Sequence, residues 1–170
     1  MSRFFLIWLG MTVSLASAAQ GVAPTLCEAE EKALFSCLVG KKLVSICASS
    51  DLTATAGYLQ YRFGAARGKL ELVYPSMKQH PARLFSLYSG GGAKASSEQL
   101  SFSNADYHYV VFVERAVFDW NGQGVVVHKA GKRIAYLPCA GRPEPDNLFD
   151  LTGVGIPLID WQDWNIPRKF

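Results

Sequence analysis

Short β-prone runs separated by turn residues recur along the chain, and they constrain its fold more than any other feature. Residues 58–63 and 69–74 alternate apolar and polar side chains with a period of two, which is the pattern of a half-buried strand. Residues 107–118 are the most β-prone run, with an apolar centre typical of a central strand. About eight such runs predict an all-β fold, an antiparallel barrel or sandwich of short strands followed by an irregular C-terminal tail.

Three hairpins follow from the order of these runs. Residues 34–38 and 43–47 flank a break that contains Gly40, and residues 125–129 and 132–137 flank a turn at Ala130-Gly131. Residues 58–63 and 69–74 form the middle hairpin. We also expect some helix over residues 27–33, from their Glu and Ala content, and a flexible connection over the Gly/Ser-rich residues 89–97.

The register of the middle hairpin can be argued from polarity. Placing Tyr61 opposite Leu70 brings apolar residues together on one face and polar residues together on the other. This register predicts that Arg62 and Glu71 form an exposed diagonal ion pair, which would contribute less than about 1 kcal/mol.

The N-terminus has the features of a secretory signal peptide. Arg3 is followed by an almost wholly apolar run over residues 4–13 and by the small-x-small sequence Ala16-Ser17-Ala18. The apolar run is shorter than the roughly 20 residues that a membrane-spanning helix needs, so stable membrane insertion is not expected. We therefore predict a signal peptide at residues 1–18, a single β domain at residues 19–170, and a location in the periplasm or outside the cell.

The four cysteines all follow the predicted cleavage site. An even number of cysteines in an exported chain predicts disulfides, and their spacing lacks the close ligand pairs of a zinc site. Four cysteines allow three pairings, and sequence alone does not choose among them. Our preference is Cys37 with Cys47, within the first hairpin, and Cys27 with Cys139, joining the N-terminal arm to the last strand.

Charge and composition exclude two classes of protein. The chain has 17 Lys and Arg against 14 Asp and Glu, a formal charge of +3. Loss of Arg3 with the signal peptide lowers this to +2, which is too small to indicate a nucleic-acid partner. A hydrophobic content of 49% excludes an intrinsically disordered chain. The oligomeric state is left open.

No catalytic, metal or cofactor site is predicted. The Gly-rich residues 89–96 lack the spacing and the strand-to-helix context of a phosphate-binding loop. His108 and Glu114 share a face of one strand, but six residues separate them by about 20 Å. His128 faces Arg133 across its hairpin. His80, His108 and His128 are each interpreted as surface or packing residues, and we expect a protein that is not an enzyme.

Two tryptophans near the C-terminus are the best candidates for a binding site. Trp161 and Trp164 stand beside Asp160 and Asp163 in the sequence Asp160-Trp161-Gln162-Asp163-Trp164-Asn165. Trp is enriched among binding hot spots, so these four residues are candidate contacts for a protein partner. The alternative, which we favour, is that the tail folds back and its Trp side chains plug one end of the barrel, because exposing large rings to water is costly.

Seven short segments are distinctive, and they are residues 34–37, 42–49, 58–64, 71–75, 124–127, 131–134 and Pro138-Cys139. Together these segments resemble a group of small secreted proteobacterial proteins of unknown function. The resemblance implies a Gram-negative periplasmic or secreted location and implies no catalytic residues. Periplasmic lysozyme inhibitors and some type VI immunity proteins share the small disulfide-stapled β character, an analogy of architecture only.

These observations predict a non-catalytic module that binds an envelope or secreted protein. A lysozyme inhibitor or toxin-immunity protein is one form of that function. A small enzyme whose site assembles across strands is an alternative, which a cleft with convergent His, Asp or Glu side chains would favour. A structural envelope component is another.

Overall fold

The computed structural model describes residues 24–117 and 121–167, in which nine strands form two antiparallel sheets. The predicted signal peptide lies outside these residues. The first sheet contains, in order, β1 (Glu31–Val39), β2 (Lys42–Ser49), β3 (Leu59–Gly64) and β4 (Leu70–Tyr74). The second contains β5 (Ser86–Gly92), β6 (Ala95–Asn104), β7 (Tyr107–Ala116), β8 (Gly122–Lys129) and β9 (Lys132–Pro138). Short 3₁₀ helices lie at Pro81–Arg83 and Leu148–Leu151.

The all-β prediction is confirmed, and the architecture is a sandwich, because the two sheets do not close into a barrel. Alternate residues of each strand point inward. In the first sheet Phe35 lies opposite Ile46, which lies opposite Tyr61, and all three are buried. In the second sheet Leu100 lies opposite Val111, and both pack into the same core. Burying one such side chain stabilises the fold by about 1.5–3 kcal/mol.

The C-terminal tail, residues 139–167, covers an edge strand of each sheet. Along β1, the N–H of Ser36 donates to the carbonyl of Pro145 and the N–H of Asn147 donates to the carbonyl of Leu34, at 3.1 and 2.7 Å. Along β5, Leu87 donates to Pro157 and accepts from Ile159, both at 3.0 Å. The tail therefore satisfies backbone groups that an open sheet edge would leave free to pair with another chain.

The tail also covers the outer face of the second sheet. Val110, Phe112 and Val126 point away from the main core and pack against Trp164 and Ile166 of the tail. This second apolar layer explains why the centre of β7 is apolar on both faces, as the sequence indicated.

The predicted register of the middle hairpin is wrong by four residues. Tyr61 lies opposite Tyr74 and Phe63 opposite Leu72, with a bulge before the pairing of Gly64 with Leu70. A side chain at Gly64 would place its Cβ 2.9 Å from the Cα of Leu70, so only glycine permits this approach. A shift of four residues leaves every side chain on its predicted face, which is why matching polarity could not detect it.

The predicted exposed pair of Arg62 and Glu71 is also wrong. The Arg62 side chain is only 4% exposed and forms an ion pair with Glu31, while Glu71 pairs with Lys42 at 2.7 Å. The reason is that the N-terminal arm, residues 24–30, lies over the outer face of the first sheet. The carbonyl of Leu26 accepts a hydrogen bond from Arg62 at 2.9 Å.

Two further local predictions, a helix and a flexible connection, are wrong. The helix expected over residues 27–33 is absent, because β1 begins at Glu31 and Cys27 is tied to the sheet by a disulfide. The Gly/Ser-rich residues 89–97 are not a flexible connection. They continue β5 and β6 as a regular hairpin around Ala93-Lys94, because a cross-strand ladder runs to the pairing of Gly92 with Ala95.

Two disulfides are present, as predicted, but the preferred pairing is wrong. Cys27 is bonded to Cys47, and Cys37 to Cys139. In the β1–β2 ladder Cys37 lies opposite Val44 and Cys47 lies opposite Ala33. Residues three positions apart along a strand are about 10 Å apart, beyond the roughly 7 Å between Cα atoms that a disulfide can span.

Candidate functional site

A groove of about 460 Å³ lies at one end of the second sheet. Its walls are the β6–β7 turn, the β8–β9 turn and residues 163–165 of the tail. We call it the histidine groove, and the side chains that give it its chemistry are Asp106, Tyr107, His108, His128, Asp163 and Trp164. The site is thus made by three segments that are distant in sequence.

The strand register places the two histidines side by side. Ser103, His108, His128 and Arg133 form a row across β6, β7, β8 and β9 on the outer face of the sheet. Directly opposed residues of antiparallel strands have Cβ atoms about 4.5–5.5 Å apart. The predicted pairing of His128 with Arg133 is confirmed. The pairing of His128 with His108 is the feature that the sequence did not indicate.

The missed pairing depends on the connection between β7 and β8. The Asn and Gly residues within positions 120–124 favour a turn there, and a hairpin centred on that turn would place residue 136 opposite His108. The observed ladder instead pairs His108 with His128 and runs to the pairing of Glu114 with Gly122. Only a correct register for this hairpin would have brought the two histidines together.

Trp164 covers both imidazoles. Its ring centroid lies 4.7 Å from that of His108 and 5.8 Å from that of His128. Its indole N–H donates to the side chain of Gln99 at 3.0 Å, and Gln99 is fully buried. Its carbonyl accepts a hydrogen bond from Nε2 of His128 at 3.0 Å. Trp164 therefore packs on the outer face of the second sheet and fixes the tail there.

The four predicted binding residues divide into two pairs. Asp163 and Trp164 line the histidine groove, whereas Asp160 and Trp161 lie on the exposed tail beside it, outside its lining. Trp161 remains 44% exposed and Leu158 65% exposed. Asp163 accepts a hydrogen bond from the backbone N–H of Asn165 at 3.0 Å.

The surroundings of the two histidines affect the pKa of His108 and the tautomer of His128. Burial lowers the pKa of His108, and the nearby His128 lowers it further, so the neutral imidazole is favoured. A carbonyl oxygen can only accept, so the hydrogen bond to Trp164 places the proton of neutral His128 on Nε2. Its Nδ1 is then a lone pair, and this atom is buried without a hydrogen-bond partner among the described residues.

A second cavity of about 340 Å³ adjoins the groove and shares Ser103 and His108 with it. This cavity lies between β6 and residues 75–85, the segment that connects the first sheet to the second. Its lining includes Tyr74 and Arg83. Within the shared wall, Ser103 Oγ lies 3.0 Å from Nδ1 of His108. This is the separation of a hydroxyl and a base that could remove its proton.

One other cluster has the composition of a metal site. Cys27, Glu31 and Cys47 have ligand atoms within 4.8 Å of one another. The two sulfurs are joined in a disulfide and offer no thiolate, and Glu31 is committed to Arg62. This cluster therefore stabilises the first sheet and is not a cation site.

Comparison with protein-family models, curated proteins and solved structures finds no match to this chain. The resemblance to a secreted group therefore stays a prediction. The two disulfides indicate an oxidising compartment. Among the residues that the structure describes, no helix is long and apolar enough to cross a membrane.

Proposed function

We propose that this chain is a non-catalytic binding module, exported to the periplasm or secreted, that recognises a protein partner through its tail. The binding surface, which we call the tail surface, consists of Leu158, Asp160, Trp161 and Asp163. Export is supported by the signal-like N-terminus and by the two disulfides, which persist in an oxidising compartment.

The observation that carries the proposal is an exposed aromatic residue on a segment that is held in place. The N–H of Ile159 is hydrogen-bonded to β5 at 3.0 Å, and Trp164 is anchored to Gln99, so the tail is fixed on both sides of Trp161. A surface that is ordered before binding loses little conformational entropy when it binds. A large aromatic side chain held in this way is typical of a binding hot spot.

Charge indicates the kind of partner. Asp106, Asp160 and Asp163 form no ion pair with any cation in residues 24–117 and 121–167, unlike Asp146 and Asp150. Three carboxylates on and beside the tail surface that have no cationic partner within those residues favour a basic patch on the binding partner, which would speed association and fix orientation. The chain as a whole is mildly basic, so this patch is a local feature.

A crosslinking and capture experiment tests the proposal. A photoreactive phenylalanine analogue is placed at position 161, or at Phe149 as a control, which is 63% exposed on the Leu148–Leu151 turn. We expect a specific crosslink in Gram-negative periplasmic extract from position 161 alone. Against the identified partner, Trp161→Ala should weaken binding by about 2 kcal/mol, roughly thirtyfold, and Phe149→Ala should have no effect.

Charge removal supplies a second measurement on the same partner. Asp160→Asn with Asp163→Asn should slow association and reduce its dependence on salt. Equal affinity of wild type and Trp161→Ala, with crosslinks equally frequent from both positions, would sink the proposal.

A small hydrolase is the second candidate, favoured by the 3.0 Å contact between Ser103 Oγ and His108 Nδ1. It ranks second because a catalytic base is normally oriented through its other nitrogen, and Nε2 of His108 has no partner among the described residues. A fluorophosphonate probe decides between the two candidates. Labelling of wild type that Ser103→Ala abolishes would support the hydrolase, and absence of labelling would support the binding module.

A further inference from the structure

We propose that His108 and His128 together bind a divalent transition-metal cation of the kind that prefers imidazole ligands, represented by Zn²⁺. This inference departs from the sequence-based expectation that no metal is bound. It does not rest on the proposed protein-binding function, because its ligands are the two imidazoles of the histidine groove; Asp163, which also belongs to the tail surface, is the one residue that the two proposals share.

The two imidazole rings can reach a single ion. The ladder between β7 and β8 places His108 directly opposite His128, on the same face of the sheet. Cβ atoms about 4.5–5.5 Å apart allow two imidazole rings to converge on one ion. Two nitrogens that bind the same zinc ion at about 2.0–2.1 Å are at most about 4 Å apart, and rings on neighbouring strands can approach that closely.

The four ring nitrogens are of two kinds. One nitrogen of each ring is hydrogen-bonded, Nε2 of His128 to a carbonyl and Nδ1 of His108 to a hydroxyl, both at 3.0 Å. The other nitrogen of each ring, Nδ1 of His128 and Nε2 of His108, is buried without a partner among the described residues. His128 is only 6% exposed, so its unpaired lone pair is costly without an electrophile or a donor.

This division of roles is the one found in metal-binding histidines. A ligand histidine donates its outer N–H to a carbonyl or another acceptor, which sets the tautomer, and directs the remaining lone pair to the metal. The carbonyl of Trp164 performs the first function for His128. A cation between the two rings would satisfy both buried nitrogens at once.

The charges around the pair are compatible with a cation. Asp106 and Asp163 line the groove and form no ion pair with described residues. Arg133, opposite His128, donates to the carbonyl of Asn165, and Lys129 lies over the ring of Tyr107 at 4.8 Å. Among the described residues, the two histidines belong to no group of three His, Cys, Asp or Glu whose ligand atoms all lie within 4.8 Å of one another. We expect water to complete the coordination and the affinity to be well below that of a four-ligand zinc site.

Zinc titration by calorimetry, with untagged processed protein, tests the site. Wild type should bind one equivalent of Zn²⁺ at about pH 7.5, and His108→Gln and His128→Gln should each weaken binding at least about tenfold. His80→Gln is the matched control, since His80 does not line the groove and its Nε2 contacts the carbonyl of Thr53 at 3.0 Å. At about pH 5.5 the wild-type affinity should fall, because protonated imidazoles do not bind metal.

Tryptophan fluorescence supplies a second readout. Because the indole of Trp164 covers both rings, Cu²⁺ in the same site should quench it, and Trp164→Phe should remove most of that quenching. His108 is less buried than His128, so His108→Gln is the decisive variant if His128→Gln proves unfolded by circular dichroism. The proposal is overturned if wild type shows no saturable Zn²⁺ binding, or if folded His108→Gln binds as tightly as wild type.

Discussion

Replacing Glu31 by Gln should remove one of the largest single electrostatic contributions to the stability of this protein. The carboxylate of Glu31 accepts two hydrogen bonds from the guanidinium of Arg62, each 2.7 Å long. The side chains of Glu31 and Arg62 are only 2% and 4% exposed. Gln has nearly the same shape as Glu, so the substitution removes the charge and leaves the packing almost unchanged.

The expected magnitude follows from what Arg62 would retain. It keeps hydrogen bonds to the carbonyl of Leu26 and to Gln60, and Glu28 lies 3.6 Å away. Breaking a buried ion pair by removing one partner costs about 3–5 kcal/mol. Because Glu28 compensates part of the remaining charge, we expect a loss at the lower end, about 3 kcal/mol. That is a large share of the roughly 5–15 kcal/mol that stabilises a typical domain.

The pH dependence has a definite sign. Burial raises the pKa of the Glu31 carboxyl, but hydrogen bonds from Arg62, from the backbone N–H of Glu28 and from Tyr58 together lower it below its ordinary value. A carboxyl whose folded pKa is lowered stabilises the fold above its unfolded pKa, and this contribution is lost as the pH falls through the folded pKa. The difference between wild type and Glu31→Gln should therefore be fully present at pH 7 and shrink below about pH 4.

Urea unfolding followed by circular dichroism, at about pH 7 and about pH 3, measures both effects. Glu71→Gln is the matched control, because Glu71 pairs with Lys42 at 2.7 Å but both side chains are nearly half exposed. That variant should lose less than about 1 kcal/mol. If Glu31→Gln is destabilised no more than Glu71→Gln at neutral pH, the buried pair does not contribute as the structure indicates.

Three further predictions concern the disulfides and the tail. Mass spectrometry of an unreduced digest should find Cys27 linked to Cys47 and Cys37 linked to Cys139, and a Cys37–Cys47 peptide would contradict the fold. Replacing both cysteines of the Cys37–Cys139 bridge by Ala should cost more stability than replacing both of Cys27–Cys47, about 4–5 against about 3 kcal/mol in the chain-entropy view, because the bridged residues are 102 rather than 20 positions apart. Equal losses of unfolding free energy for the two double substitutions, measured by urea unfolding, would show that loop length does not set the stability that each bridge contributes. Trp164→Phe should destabilise the fold by about 1–3 kcal/mol, since it leaves buried Gln99 without its donor, whereas Phe149→Leu, at an exposed position of the tail, should stay within about 0.5 kcal/mol. Similar effects of the two substitutions would indicate that Trp164 does not anchor the tail.

Much of the strand pattern was predictable because it depends on neighbours in sequence. The first and third hairpins, the central β7 and the burial of Tyr61 and Leu59 all follow from period-two alternation and turn residues. The register of the middle hairpin was not predictable in this way, since polarity is preserved when a strand slides by an even number of residues. For the same reason, polarity could not predict that His108 lies opposite His128.

The candidate site was predictable only in part. The sequence singled out Trp161 and Trp164 by composition, but it could not show that one ring stays exposed while the other covers two histidines. The burial of Arg62 was equally hidden, because its partner Glu31 lies 31 positions away on the edge strand of the same sheet. Each of these features depends on which segments cover the outer faces of the sandwich.

The sequence by itself determined the class of the fold. Alternation, turn residues and an even number of cysteines are visible in the sequence without knowing which distant segments meet. The tertiary structure decided the disulfide pairing, the buried ion pair and the histidine groove. Those features require residues from distant segments to meet at a particular register, and register is fixed by the packing of all the strands and of the tail together.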